Sequence, residues 1–574
     1  MAQKETSSKS RRWLGLSGAA VLVANLVLTG TTIAFQQEGE VNHALGIEGA
    51  GASYGGTEFS ADGTLSDASY EKYIEAAYQF CEQEEEEGSV LLYNRNNALP
   101  LSESERNVTV FGRGSIDPVF RSTAGGSSTN PDYQKTPVDA LQDAGFNVNQ
   151  TVLDAYASAE APKERSVSSV GEYDPALFTG SVTDSFASYG DVAFVTLSRF
   201  ATEGNDLAMV NDEGKRMLEL DDNEKAIFQK IKDSGKFKKT VVLLNSVFAM
   251  EMDWLDEYNV DAVLWVGNPG FYGMPGAIRV VTGEVNPSGH SADTFVYDLT
   301  AAPYFNNIGA FAYTNADSVG YTAAGLFGRD PEQVTPHFVN YVEGIYVGYK
   351  FYETAAAEGL IDYDKTVQYP FGHGLSYTTF TQKIDSMTEA DGTITLDVTV
   401  TNTGSVAGKD AVQVYFNPPY TDGGIEKAST NLVTFGKTDS IEPGASQTLT
   451  LTFNTEDMAS FDSKDKGCYV LEEGDYIISI NEDSHTVLDS KTYNVASTIV
   501  YDESNPRSTD AEAATTKFDF ADDKLVTLSR AGHFANYAEA VAVPSDFTMS
   551  EESMNTMYTD HNWTPEDHND PNDE

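Results

Sequence analysis

Between residues 70 and 380, continuous apolar runs alternate with segments that have the apolar spacing of amphipathic helices. A strand covered on both faces is apolar throughout, whereas a helix that covers a sheet has one apolar stripe. The pattern therefore predicts an α/β fold: a layered α/β sandwich with a mostly parallel sheet. The predicted strands are 89–94, 107–112, 191–197, 240–245 and 262–266, and the predicted helices are 70–87, 136–143, 222–234 and 275–282.

Beyond residue 380 the pattern changes to strict alternation of apolar and polar positions. Alternation is typical of strands that bury one face only. The clearest alternating segments are 393–402, 412–416, 447–453 and 476–480, separated by turn sequences rich in Gly, Asn, Glu and Pro. Short alternating strands at this spacing predict an all-β, fibronectin type III-like sandwich over residues 381–500.

The two ends of the chain differ from this globular part. Residues 13–35 are 23 residues without a charged side chain, and basic residues precede them. A helix of that length spans a bilayer, and its positive flank stays cytoplasmic. We therefore expect a cytoplasmic basic segment (1–12), a single-pass anchor in the cell membrane (13–35) and a spacer (36–69), with the bulk extracellular. A cleaved signal, which leaves a secreted protein, is the alternative. Residues 501–574 are expected to be a linker and an acidic disordered tail.

Charge and cysteine usage exclude several kinds of partner. The 88 acidic residues outnumber the 36 basic ones and give a net charge of −52. Such a field repels phosphate backbones, so we expect no nucleic-acid binding. Cys81 and Cys468 are far apart in sequence and the histidines are scattered, so no metal site and no cofactor are expected. Two free or buried thiols are favoured over a disulfide.

One acidic side chain directly follows the predicted strand 191–197. The sequence Ser198-Arg199-Phe200-Ala201-Thr202-Glu203-Gly204 places Glu203 in a loop at the carboxyl end of that strand. In α/β sheets, ligands bind outside the carboxyl ends of the strands. Glu203 is therefore the leading candidate for chemistry, and an ordinary loop glutamate is the alternative.

A second candidate is a loop of small residues at Gly125, Gly126, Ser127 and Ser128. Glycines allow the backbone to approach a ligand closely. The loop has no phosphate-binding Gly-Lys-Ser sequence, so nucleotide binding is not expected. A plain flexible loop is the alternative.

Other conspicuous residues are expected to be structural. Asp253 would lie on the surface of a helix beside a core Trp254, and His373 would stabilise a Pro/Gly turn. Trp265 is assigned to core packing, and the acidic run 84–87 to a solvated helix end.

Five segments, in order, resemble glycoside hydrolase family 3, the β-glucosidase and β-xylosidase family. The stretch around Glu203 is similar to the acid/base loop of the family. The segment 283–294, with Gly283, Asn286-Pro287-Ser288-Gly289 and Thr294, resembles another of its motifs. The remaining similar segments are 87–101, 111–128 and 369–380. The resemblance covers roughly residues 80–500.

The resemblance implies one half of a retaining active site. Glu203 would be the general acid/base, and Arg113 with the Gly125–Ser128 loop would lie near the sugar. The family hydrolyses O-glycosyl bonds of terminal β-linked sugars, and its nucleophilic Asp lies on a (β/α)8 barrel. In a circularly permuted branch that barrel follows the sandwich, and Leu528-Ser529-Arg530-Ala531 is similar to the linker into it.

No barrel is recognisable in this sequence, because a barrel needs about 250 residues and far fewer follow the sandwich. We therefore expect a carbohydrate substrate and β-glucosidase-like hydrolysis that needs a separate (β/α)8 barrel polypeptide. An exposed apolar face for that partner, or for self-association, is also expected. The alternative, from a different class, is a non-catalytic glycan-binding or scaffold module at the cell surface.

Overall fold

The computed structural model describes residues 67–120, 134–201, 206–309, 311–315, 321–323, 332–334, 336–514, 525–551 and 553–554. The chain divides into two units, Met1–Tyr73 and Ile74–Glu574, and only 67–73 of the first are described. The helices up to residue 366 are α1 (Asp67–Gly88), α2 (Pro137–Asp143), α3 (Gln150–Ser158), α4 (Ser181–Ser185), α5 (Asp222–Ser234), α6 (Met274–Thr282), α7 (Tyr349–Ala357) and α8 (Tyr363–Thr366).

A six-stranded sheet forms the centre of the second unit. Its strands are β1 (Val90–Asn94), β2 (Asn107–Phe111), β3 (Asn147–Val148), β4 (Val192–Ser198), β5 (Lys239–Asn245) and β6 (Ala262–Trp265). Their order is β1-β6-β5-β4-β2-β3. All neighbours are parallel except β1, which pairs with β6 antiparallel at one edge. The predicted α/β sandwich with a mostly parallel sheet is confirmed.

Helices cover both faces of this sheet, which explains its continuous apolar strands. In β4, Val195 and Leu197 belong to the apolar layer beneath α3 and α5. Val192 and Phe194 belong to the opposite layer, beneath α2 and α6. Every residue of β4 is buried, so polar side chains are kept to the ends of the strand, where the candidate chemistry lies.

The second half of the unit is the predicted all-β sandwich. Its strands are β13 (Phe380–Ala390), β14 (Thr393–Asn402), β15 (Ala411–Asn417), β16 (Asn431–Lys437), β17 (Ser446–Asn454), β18 (Ser460–Asp462), β19 (Cys468–Leu471), β20 (Gly474–Asn481), β21 (Val487–Val495) and β22 (Ile499–Tyr501). One sheet has the order β13-β14-β17 and the other β16-β15-β20-β21, with a third small sheet β18-β19-β22. Alternate residues of β14 are buried, and they meet the inner face of the other sheet in one apolar core.

Short strand pairs connect the two halves. β7 (Phe295–Val296) pairs with β12 (Val367–Tyr369). The other two pairs are β8 (Phe311–Ala312) with β11 (His337–Phe338) and β9 (Tyr321–Ala323) with β10 (Glu332–Val334).

The acidic end of α1 joins the α/β domain to the sandwich. Glu87 pairs with Lys409 and, at 2.6 Å, with Lys437, which both belong to the sandwich. Glu86 pairs with Arg279 of α6. The expectation of a solvated helix end was wrong, because basic side chains distant in sequence come together here.

The chain beyond the sandwich packs back onto the α/β domain. Residues 525–551 include two short helices, α9 (Ala531–Phe534) and α10 (Tyr537–Ala540). Leu528 and Phe534 are buried in the layer that also holds α7. We call residues 525–551 the C-terminal strap. The expectation of a linker and a disordered tail over 501–574 did not include this packing, and residues 555–574 lie outside the described residues.

The predicted membrane anchor needs correction. No helix among the described residues is long and apolar enough to cross a membrane. The long helix α1 has 22 residues, but Glu and other polar side chains interrupt its apolar positions, and a span requires about 20 predominantly apolar residues. Residues 13–35 lie outside the described residues. The expected single-pass localisation in the cell membrane is thus contradicted by this structure.

Candidate active site

The carboxyl ends of β2, β4, β5 and β6 lie along one edge of the sheet, since these strands are parallel. Of the predicted site residues, Arg113 lies at this edge, immediately after β2. Glu203 follows β4 but, like Gly125, Gly126, Ser127 and Ser128, it lies outside the described residues. The site is therefore built from the described residues that flank both segments.

Asn245 ties this strand edge together. Its side-chain oxygen accepts hydrogen bonds from Ser198 Oγ (2.8 Å) and Val119 N (2.7 Å). Its Nδ2 donates to the carbonyl oxygens of Val119 (2.8 Å) and Gly267 (2.7 Å). One fully buried amide thus holds the ends of β4 and β5 and the segments that follow β2 and β6. Sequence reasoning missed it, because an Asn at a strand end carries no distinctive signal.

Arg199 fixes both ends of the segment that contains Glu203. Its guanidinium is fully buried and forms two 2.8 Å hydrogen bonds with Glu224 at the start of α5. It also donates to the carbonyl oxygens of Met217 (2.5 Å) and Glu219 (2.5 Å). Residues 199 and 217 are thereby held together beside the carboxyl end of β4.

Glu224 has a second role, which explains why the pair forms here. It completes the N-terminal capping box of α5: Asp221 accepts from Glu224 N at 2.7 Å, and Glu224 accepts from Asp221 N at 2.8 Å. A helix N-terminus favours such carboxylates. The helix start therefore fixes the anion that holds Arg199.

Arg113 is held within the protein by several polar contacts. Its Nε donates to Asp117 at 2.8 Å, and a terminal nitrogen donates to the carbonyl oxygen of Gly171 at 3.1 Å. Its backbone N donates to both carboxyl oxygens of Glu172. The preceding Gly112 has a φ of 83°, and a Cβ there would lie 2.6 Å from the carbonyl oxygen of Thr196. Close approach of the turn to β4 thus requires glycine.

Glu172 is an unusual carboxyl group at this edge. Burial raises its pKa to about 8, although the backbone N–H groups of Arg113 and Tyr173 partly offset that effect. A carboxyl group with such a pKa is mostly protonated at neutral pH. Sequence reasoning missed Glu172, because only the fold brings residue 172 next to residue 113.

A cavity of about 230 Å³ opens between these segments. It combines basic side chains with aromatic rings contributed by three separate parts of the chain. Its lining residues are Arg113, Asp117, Pro118, Val119, Phe120, Gln134, Glu164, Arg165, Phe200 and Phe271. We call this space the edge cavity.

The residues that were expected to be structural make packing contacts and backbone hydrogen bonds or lie on the surface. Trp254 is buried, and its indole N–H donates to the carbonyl oxygen of Glu251 at 2.8 Å. Asp253 is exposed, but residues 253–259 form turns instead of the predicted helix, because so short a connection gains few helical hydrogen bonds. His373 Nε2 lies 3.0 Å from the carbonyl oxygen of Leu92. The indole of Trp265 packs edge-on against Phe295.

Both cysteines are free thiols, half-buried at Cys81 and buried at Cys468. Within the described ranges, no group of three His, Cys, Asp or Glu side chains could hold a metal ion.

Two family models match the chain. The glycosyl hydrolase family 3 C-terminal domain matches residues 89–349, and the fibronectin type III-like domain matches residues 410–484. The first match contains all six strands of the sheet, and Glu203 falls within it.

Curated relatives are β-glucosidases. A β-glucosidase of Ruminococcus albus is 33% identical over 429 residues, which cover 73% of this chain and 40% of the relative. β-Glucosidase A of Butyrivibrio fibrisolvens is 29% identical over 437 residues, with 68% of this chain and 48% of the relative covered. The chain thus spans less than half the length of these two relatives.

Solved structures are similar in fold. β-Glucosidase 3B of Thermotoga neapolitana, in complex with α-D-glucose, has a TM-score of 0.60 and 28% identity, covering 75% of this chain and 55% of that one. A β-glucosidase of Paenibacillus barengoltzii has a TM-score of 0.60 and 27% identity, covering 74% and 44%.

Proposed function

Since this chain belongs to glycoside hydrolase family 3, with its C-terminal domain and a fibronectin type III-like domain, we propose that it supplies the acid/base half of a β-glucosidase active site. Glu203 would be the general acid/base. The observation that carries this proposal is the contact of Arg199, at the end of β4, with Met217 and Glu224, which holds together the described residues on either side of the segment with Glu203. Catalytic carboxyl groups need fixed positions.

The chemistry follows that of retaining glycosidases. The Glu203 carboxyl group protonates the glycosidic oxygen as the bond to the leaving group breaks, while a carboxylate on the opposite side attacks the anomeric carbon. Glu203 then takes a proton from the water that hydrolyses the glycosyl-enzyme. The described residues contain a six-stranded sheet and antiparallel sheets, and none of these closes into a barrel of eight parallel strands.

We infer that the nucleophile comes from a (β/α)8 barrel on a separate polypeptide. Exposed apolar side chains within residues 339–347 support such a partner: Val339, Tyr341, Ile345 and Val347 are 38%, 74%, 43% and 59% exposed. Apolar side chains clustered on a surface are typical of interaction sites. The substrate would be a β-glucoside, because the relatives described above carry that name. Their names also disfavour a non-catalytic glycan-binding or scaffold module.

The proposal is tested with 4-nitrophenyl β-D-glucoside. The purified chain alone should show no turnover, because general acid catalysis contributes only about 10²–10⁴-fold. Addition of a family barrel polypeptide should restore hydrolysis, and Glu203→Gln should abolish the restored activity. Glu213→Gln, an exposed carboxylate ten positions further along the chain, is the control and should leave it unchanged.

Two results would contradict the proposal. One is turnover by the chain alone that disappears in Glu203→Gln, which would place the nucleophile in this chain. The other is restored activity that Glu203→Gln leaves intact, which would assign the acid/base role elsewhere.

A further inference from the structure

The edge cavity has an aromatic wall made by residues distant in sequence. Phe120 follows β2, Phe200 follows β4 and Phe271 follows β6. The rings of Phe120 and Phe271 lie 6.1 Å apart in an edge-to-face arrangement. All three phenylalanines are half-buried. Half-buried aromatic rings stack favourably on flat, apolar ligand groups.

The lining of the cavity also includes a cation, Arg165, that is unpaired in the described part of the structure. Arg165 Nε is shielded from solvent, and it has no hydrogen-bond partner in the described structure. The guanidinium also forms no ion pair with any described residue, in contrast to Arg113, which pairs with Asp117. A buried donor without an acceptor costs about 1–3 kcal/mol of folding free energy, and more if it is charged. Its presence here therefore indicates that a ligand supplies the missing acceptor.

The surroundings of Arg165 do not neutralise it. Burial and the neighbouring Arg113 lower its pKa to about 10, which still leaves it charged at neutral pH. Glu172 is nearby, but burial raises the pKa of that carboxyl group to about 8, so it carries little charge. Asp117 also acts on Arg165, but it pairs with Arg113 at 2.8 Å. Glu164 lines the cavity and is exposed. In a chain with a net charge of −52, this is a local site for an anion.

We propose that the edge cavity binds the leaving group of the substrate, and that this leaving group is an aromatic carboxylic acid with a hydroxyl group, whose hydroxyl oxygen carries the glycosidic bond and takes the proton when that bond breaks, so that the carboxylate is free throughout. The ring would lie against Phe120, Phe200 and Phe271, and the carboxylate would accept hydrogen bonds from Arg165. Arginine binds carboxylates with paired, parallel hydrogen bonds. The volume of about 230 Å³ is below that of sites for drug-sized ligands, about 300–1,000 Å³, and suits a single ring.

The assignment to a leaving group rests on the proposed function, whereas the binding itself does not. The experiment therefore measures binding to the purified full chain by titration calorimetry, without any hydrolysis. The probes are cinnamate, cinnamyl alcohol and glucuronate. Cinnamate should bind at least tenfold more tightly than the alcohol, which lacks the charge, and than glucuronate, which lacks the aromatic ring.

Variants then assign the binding to Arg165. Arg165→Gln should weaken cinnamate binding at least tenfold, because a charge-assisted pair is lost. Arg165→Lys keeps the charge but not the paired donors and should weaken binding less. The control is Arg106→Gln, an arginine at the opposite end of β2 that contacts Phe146. An unchanged circular dichroism spectrum checks that each variant is folded.

Each result of these titrations either supports the proposal or overturns a stated part of it. Equal binding of cinnamate to the natural chain and to Arg165→Gln overturns the proposal, as does equal binding of cinnamate and cinnamyl alcohol. Tighter binding of glucuronate overturns the aromatic assignment. If cinnamate binds as expected while Glu203→Gln leaves the restored glucosidase activity intact, the binding site stands and the proposed acid/base role fails.

Discussion

At the scale of single residues, the Arg199–Glu224 pair dominates the candidate site. Both side chains are buried, and each hydrogen-bonds to the other and to nearby backbone. A buried ion pair contributes little net stability compared with apolar residues, but loss of one partner leaves an isolated buried charge. The pair therefore acts mainly to hold residues 217–219 and the start of α5 against the end of β4.

Arg199→Met should destabilise the protein by about 3–5 kcal/mol, because Glu224 would remain buried without a counter-charge. The double variant Arg199→Met/Glu224→Leu should recover much of that loss. Urea unfolding measures both. Lys163→Ala removes the exposed Lys163–Glu213 pair as a control, and should cost no more than about 1 kcal/mol. A double variant as unstable as the single one would show that the pair itself stabilises the fold.

Only some of the residues at the candidate site could be predicted from the sequence. Glu203 could be proposed because it follows an apolar strand, at the edge where α/β sheets bind ligands, and its role stays a prediction. Glu172, Arg165 and Asn245 could not be found, because their environments depend on which strand ends become neighbours. An orphaned guanidinium or a carboxyl group with a raised pKa is a property of burial, and local sequence does not specify burial.

At the scale of elements, periodicity predicted most of the strands and helices. β14 matches the predicted 393–402, and α5 the predicted 222–234. The edge strand β1 was predicted as a strand, but its antiparallel direction was not predicted, since an apolar run carries no information about direction. The C-terminal strap escaped prediction because its helices have only four residues each, too few to show a period.

The strap provides an element-scale prediction. Phe534 is 2% exposed, with its ring 5.0 Å from that of Tyr346 and 6.0 Å from that of Phe351. Phe534→Ala should therefore destabilise the α/β domain by about 3–5 kcal/mol through lost burial and a residual cavity. Val543→Ala, at a position that is 66% exposed, is the control. Thermal unfolding measures both, and a Phe534→Ala variant as stable as the control would mean that the strap is not part of the folded domain.

At the scale of the whole molecule, polar clusters join the α/β domain to the sandwich. Glu353 of α7 accepts hydrogen bonds from Ser484 (2.8 Å) and from Tyr363 (2.5 Å), and pairs with His485 at 2.8 Å. Residues 484 and 485 follow β20 of the sandwich. Together with the Glu87 pairs at the end of α1, this cluster makes the junction between the two domains sensitive to charge.

The junction should also be sensitive to pH. The hydrogen bond with Glu353 raises the folded-state pKa of His485, and the charges of Glu353, Asp483 and Asp364 act in the same direction. Because the pKa is raised in the folded state, the imidazolium stabilises the fold fully at pH values below the unfolded-state pKa of about 6.5. This stabilisation is lost as the pH rises through the folded-state pKa. His485 should therefore favour the joined domains in mildly acidic solution.

His485→Gln tests this contribution, because glutamine keeps a hydrogen-bond donor but cannot become charged. The difference in Tm between the natural chain and His485→Gln should be larger at pH 5.5 than at pH 8.5, with the natural chain more stable at pH 5.5. His337→Gln, an exposed histidine of β11, controls for general effects of histidine removal and should leave the pH dependence unchanged. Buried carboxyl groups with a raised pKa, such as Glu172, also make the fold less stable as the pH rises. They do so equally in both chains, so their effect cancels in the difference. A Tm difference between the two chains that does not vary with pH would mean that the pairing of His485 with Glu353 makes no net contribution to the junction.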